Sequence, residues 1–240
     1  MAYFNLNAVH PSWQAAIQNA LNAMDPTYLK HLYQTQSWLP GHNQIFNAFS
    51  LPVDRIHYIL FGESPYPRAQ SANGFAFWDA AVKELWVESG LSKPVNRATS
   101  LRNFIKMLLV AEGVLNPTKT TQAHIAQVDK KPFVKTNTDL FNNLLKHGFL
   151  LLNASLILQE TSVTKDAKAW QPFMANLLEF LYQQRPHCCT ILFGNIANKI
   201  EKLIKHPHVK KLYSEHPYNH TFITNPTVIE FFNPLYLLRI

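Results

Sequence analysis

The sequence predicts an α/β protein: a three-layer α/β/α sandwich around a central, mainly parallel four-stranded sheet. Three short apolar runs, at residues 56–62, 149–153 and 190–193, read as strands continuous enough to be buried, and residues 213–215 read as a terminal strand. Between them lie stretches with helical spacing, and strands alternating with helices favour parallel pairing under two helical layers. The chain has 240 residues, 47% hydrophobic and 15% charged, which fits one well-packed globular domain over residues 1–240 and argues against disorder. Residues 1–50 form its helical N-terminal part.

Taken in order, Trp13, Ile17, Leu21 and Met24 recur at helical spacing in residues 11–36, and Pro26 suits the first turn of a second helix. Leu39-Pro40-Gly41-His42-Asn43 interrupts the pattern, and residues 45–49 add a helical turn before the first strand. Residues 84–88 read as a short edge strand and 89–99 as a loop. Ser100 is then expected to cap a helix whose apolar face is Leu101, Ile105, Leu108 and Leu109. Residues 113–137, with Asn116-Pro117, Lys119, Lys130 and Lys131, lack periodicity and read as a long surface excursion. Helices at 139–146, 169–184 and 196–205 lead into the second, third and fourth strands. A closing helix over 226–238 has to accommodate Pro234.

The formal charge of +7 and pI near 9.4 point to a polyanionic partner, nucleic acid first, against the plainer reading of a basic surface with no particular ligand. The two cysteines, Cys188 and Cys189, are adjacent, so no disulfide framework is expected and a reducing compartment fits. No CxxC or HExxH pattern occurs and the eleven histidines are scattered, so neither metal nor cofactor is expected. The amino terminus lacks the pattern of a cleaved signal, and no window approaches 18 apolar residues. These features predict a protein without a membrane partner, not secreted, and cytoplasmic, or nuclear in a eukaryote.

The candidate chemistry sits where strands end. Gly62-Glu63-Ser64-Pro65-Tyr66-Pro67 is a polar loop stiffened by two prolines at the carboxyl end of a strand, the place where α/β proteins bind ligands. Gly74-Phe75-Ala76-Phe77-Trp78 offers flat faces on which a planar ring can stack. The second strand ends in Asn153, whose side chain presents one acceptor and two donors in a plane. The third ends in Gly194-Asn195, and the fourth leads to His216 before Pro217-Tyr218-Asn219-His220. Each also has an ordinary structural reading, as a turn, a cap or a core aromatic.

Together these segments resemble the uracil-DNA glycosylases of the general, family-1 type. That family carries GQDPYH, a GLCF-like segment, LLLN, LLWG and HPSPLS. This chain reads GESPYP, GFAF, LLLN, ILFG and HPYNHT, in the same order and with similar spacing. Ser100-Leu101-Arg102-Asn103 also resembles the family's phosphate-contacting turn, and the likeness extends over about residues 40 to 238.

The resemblance implies base-excision repair: a monomeric hydrolase that flips uracil, or a related deaminated base, out of DNA and cleaves its glycosidic bond. Phe77 would stack on the base, Asn153 would read its edge, and the Tyr66 ring would exclude the 5-methyl group of thymine. His216 would support the leaving group. Ser100, Pro67 and His220 would contact DNA, with His220 or Phe222 filling the gap left by the base. An aromatic, an amide and an imidazole would thus converge around one pyrimidine.

The family's catalytic aspartate is replaced by Ser64, which can position water but carries no charge. Glu63, in the family's glutamine position, is the nearest carboxylate, although consecutive side chains of extended backbone point to opposite sides. The alternative is a catalytically impaired protein of the same fold that binds DNA or a protein partner. A hydrolase or nucleotide-binding protein sharing only the architecture would need GxSxG or GxxxxGK[ST], and neither is present.

Overall fold

The computed structural model describes residues 4, 6, 9–35, 37–159 and 163–240. The amino-terminal stretch, where no cleaved signal is expected, and the helix expected to reach Gln36 fall partly outside these residues. In chain order the first half contains α1 (Pro11–Asn22), α2 (Pro26–Thr35), β1 (Trp38–Leu39), β2 (Tyr58–Gly62), β3 (Trp86–Val87), β4 (Gly90–Leu91), α3 (Lys93–Arg97) and α4 (Thr99–Ala111). The second contains α5 (Gln122–Ala126), α6 (Asn137–Lys146), β5 (Phe149–Asn153), β6 (Leu158–Gln159), α7 (Val163–Ala169), α8 (Gln171–Gln184), β7 (Cys189–Phe193), α9 (Ile196–Ile200), β8 (Lys210–Ser214) and α10 (Pro226–Phe232).

The expected α/β class holds. The central sheet has the order β5-β2-β7-β8, and β2 runs parallel to both neighbours. Every residue of β5 is buried, as is the middle of β2, because both carry uninterrupted apolar side chains. The chain divides into two compact units, residues 1–79 with 148–211 and residues 80–147 with 212–240.

In the first unit, α1 packs along α8 and the core gathers Trp13, Phe49, Phe61, Trp170 and Phe173. Trp13 stands edge-on to Phe49 at 5.3 Å, and its indole N–H donates to the Leu51 carbonyl at 2.7 Å, so the polar end of a buried ring is satisfied. The buried Asp166 carboxylate accepts from the Tyr28 hydroxyl and from the backbone and side chain of Gln159, which offsets its desolvation. The helix expected over 169–184 is α8, which starts at Gln171 with Pro172 in its first turn, and a separate short helix, α7, precedes it and ends at Ala169.

In the second unit, α4 packs against α10, with Phe104 edge-on to Phe232 at 5.4 Å. The segment 89–99 is not the expected loop: it holds β4 and α3, and Ser92 caps α3 by accepting from the Val95 N–H. The excursion over 113–137 contains α5, and it buries Ile125 and Phe133. α6 opens with a reciprocal capping box between Thr136 and Asp139. The closing helix stops at Phe232, since Pro234 has no N–H to continue it, and a short 3₁₀ turn follows.

Candidate active site

β2 and β5 end together: Gly62 pairs with Asn153, and the ladder extends one step further as Ala154 and Ser155 donate to the carbonyls of Gly62 and Glu63 at 2.9 and 3.0 Å. Register alone therefore sets the Asn153 amide against the start of the 62–67 loop. The amide lies directly over Gly62, where a Cβ would collide with Asn153 Oδ1 and sit 2.9 Å from the Ala76 Cβ. Glycine is required at this position by the closeness of these neighbours.

The aromatic segment is strapped to the outer edge of β5, where Ala76 N–H donates to the Leu151 carbonyl at 3.0 Å. One residue on, Phe77 adopts φ of +63°, a left-handed conformation that a bulky side chain holds only when its surroundings enforce it. Two contacts enforce it here. The Ala76 bond fixes the preceding backbone, and the Tyr66 hydroxyl donates to the Phe77 carbonyl at 3.1 Å. The Phe77 ring, half-buried, stands edge-on to Phe193 at the end of β7, 6.3 Å away. Burial, with Asp79 nearby, pushes the Tyr66 phenol well above its ordinary value, while Arg68 opposes this, so Tyr66 stays a donor at working pH. Arg68 pairs with the buried Asp79 at 3.2 Å, tying the 62–67 loop to the end of the aromatic segment.

Thus Tyr66, Phe77 and Asn153 gather at the carboxyl ends of β2 and β5. Glu63 takes another course. Its carboxylate is exposed and accepts from Lys199 Nζ of α9 at 2.6 Å. Ser64 is the first residue beyond the ladder, and Pro67 is exposed at the loop's far end.

Ser100, His216 and His220 belong to the second unit. Ser100 is not the expected cap. α3 delivers the chain straight into α4, whose N-cap is Ala98 without a side-chain bond, so Ser100 falls inside the first turn. His216 opens a tight turn: its carbonyl accepts from the Asn219 N–H at 2.8 Å, and its ring Nδ1 accepts from the Tyr218 N–H at 3.1 Å. A ring nitrogen that accepts from a backbone N–H holds no proton, so neutral His216 carries its proton on Nε2 and presents it as a donor. The preceding Glu215 is titrated by opposing effects. Burial raises its carboxyl, but hydrogen bonds from Thr221, its own backbone and Asn225 outweigh this and hold it below its ordinary value. Of the two residues expected to fill the gap, His220 is exposed, whereas Phe222 is fully buried in the core and is excluded from that role. Tyr218, 68% exposed, is the projecting aromatic of the turn.

Three residues escaped the sequence reading: Lys199, Asp79 and Asn103. Asn103 lay within the quoted Ser100-Leu101-Arg102-Asn103 segment, but nothing local links it to the His216 turn. Among the described residues no cluster of three or more His, Cys, Asp or Glu could hold a metal ion, and no helix is long and apolar enough to cross a membrane.

No family model matches the chain. The uracil-DNA glycosylase of Amoebophilus asiaticus is 28% identical over 215 residues, 87% of this chain and 84% of that protein. The crystal structure of the UNG from Nitratifractor salsuginis is 40% identical, covers 98% of this chain and 94% of its own, and superposes with a TM-score of 0.92. The chain belongs to the uracil-DNA glycosylase family. The mimivirus uracil-DNA glycosylase, 16% identical with a TM-score of 0.61 over 90% of this chain, shares the fold.

Proposed function

We propose that this glycosylase hydrolyses the bond between uracil, or a related deaminated base, and the sugar of DNA after flipping the base from the stack. The observation that carries the reading is the gathering of Tyr66, Phe77 and Asn153 at the ends of β2 and β5 in a chain of this family. Phe77 supplies the stacking face, with its backbone held at both ends, and Asn153 supplies the planar donor and acceptor set for the base edge. Tyr66 excludes the thymine methyl by its bulk. His216 donates from Nε2 to the oxygen on which negative charge gathers as the bond breaks, an interaction worth most where water is excluded.

Ser64 positions the attacking water, and Glu63, one residue away in the chain, brings a carboxylate that Lys199 restrains. A surface ion pair of this kind is worth no more than about 1 kcal/mol, so DNA phosphate can displace it. Pro67, Ser100 and His220, with Tyr218, contact the DNA. The basic composition supports the attraction to DNA.

The test is incubation with single- and double-stranded oligonucleotides carrying one uracil, followed by alkaline cleavage of abasic sites. Strand breaks at uracil and none at thymine are expected. A protein that binds the uracil strands but breaks none, with any deaminated base, overturns the reading in favour of a binding protein of the same fold.

A further inference from the structure

Asn103 is 1% exposed on α4, and its side-chain amide donates outside that helix. Its side-chain amide nitrogen lies 2.7 Å from the Pro217 carbonyl, 3.3 Å from that of Tyr218 and 3.4 Å from that of Asn219, three consecutive carbonyls of the turn that begins at His216. Its oxygen accepts from Arg102 Nε at 3.4 Å. The amide can take only this orientation, because the reverse would set its oxygen against three acceptors.

The same turn contains the Tyr218 N–H that donates to His216 Nδ1. A peptide group is planar, so the Pro217 carbonyl and the Tyr218 N–H belong to one rigid unit. Whatever grips that carbonyl also aims that N–H. We infer that Asn103 is a positioning residue for His216: by holding the Pro217–Tyr218 peptide it fixes the imidazole's orientation and keeps its proton on Nε2. It touches neither base nor sugar, and its effect on catalysis rests on the role proposed for His216.

Two variants and two readouts test this. Asn103→Ala deletes the grip, and Leu108→Ala, a buried residue of the same helix, damages packing alone. In the intact protein, ¹⁵N-resolved spectra of His216 report which ring nitrogen carries the proton. The expected result for Asn103→Ala is movement of the His216 nitrogens toward tautomer averaging and a fall in the single-turnover rate of about 10- to 100-fold, with affinity for uracil DNA retained. Leu108→Ala should lower thermal stability and leave both readouts in place. If Asn103→Ala does not fold, Asn103→Ser, which keeps one donor, is read the same way. Unmoved His216 nitrogens in the folded Asn103 variant, or equal movement in Leu108→Ala, overturn the inference. An inactive wild-type protein would overturn the functional reading instead, since the nitrogen shifts report on Asn103 without any turnover.

Discussion

The carboxyl ends of β2 and β5 and the turn at His216 position their side chains by different means. At the strand ends, backbone does most of it. Register brings Asn153 to Gly62, a backbone bond straps Ala76 to Leu151, and the Tyr66 hydroxyl and the Arg68–Asp79 pair add side-chain links. At the His216 turn, side chains from elsewhere hold the backbone. Asn103 grips three carbonyls, while the Asn225 amide donates to the side-chain carboxylate of Glu215. Geometry set by a ladder is distributed over many bonds, whereas geometry set by one buried amide depends on that amide.

The largest expected effect tests the strand ends. Gly62→Ala places a Cβ against Asn153 Oδ1 and the Ala76 Cβ, so the amide and the aromatic strap must both give way. Displacement of about 1 Å at a reacting centre can cost 10²-fold in rate, and a loss of about that size in single-turnover cleavage is expected while the protein stays folded. Retained activity would mean that the ladder does not fix the Asn153 position, and the contrast between the two regions would weaken.

A smaller effect is expected at the loop between the ladder's end and Pro67. If charge near the water is what Ser64 lacks, Ser64→Asp should raise the single-turnover rate by about tenfold, equivalent to about 1.4 kcal/mol of barrier. Glu63→Gln should lower it, and it also releases Lys199. Single-turnover rates of both variants at neutral pH decide the matter: if neither changes, neither position activates water, and the ladder's reach ends before the chemistry.

The same difference governs what could be read from the chain. The runs Ile59-Leu60-Phe61 and Leu150-Leu151-Leu152 are continuous because both strand faces are buried, and that continuity is visible in a single sequence. That β2 and β5 are neighbours in register, which sets Asn153 beside Gly62, is not visible in either run. Ser100 misled because a serine ahead of an apolar helix usually caps it, and the short α3, with its own cap at Ser92, could not be seen. Phe222 looked available because a sequence does not show that the 3₁₀ turn after His220 drives it into the core. Asn103 and Pro217 are 114 residues apart, and no periodicity relates a buried amide to a distant turn.

The smallest effect concerns the His216 turn under acid. The Glu215 carboxyl titrates below its ordinary value of 4.5 because it accepts from Thr221, its own backbone and Asn225, despite the burial that opposes this. A carboxyl whose pKa is depressed by folding contributes stability that is complete above its unfolded pKa and is lost as pH falls through the lower folded value. Glu215→Gln removes that contribution. The stability difference between wild type and variant should therefore be largest near pH 7 and shrink below about pH 4, as followed by chemical denaturation at the two pH values. A difference that stays constant between them would show that the Glu215 bonds do not depend on its charge.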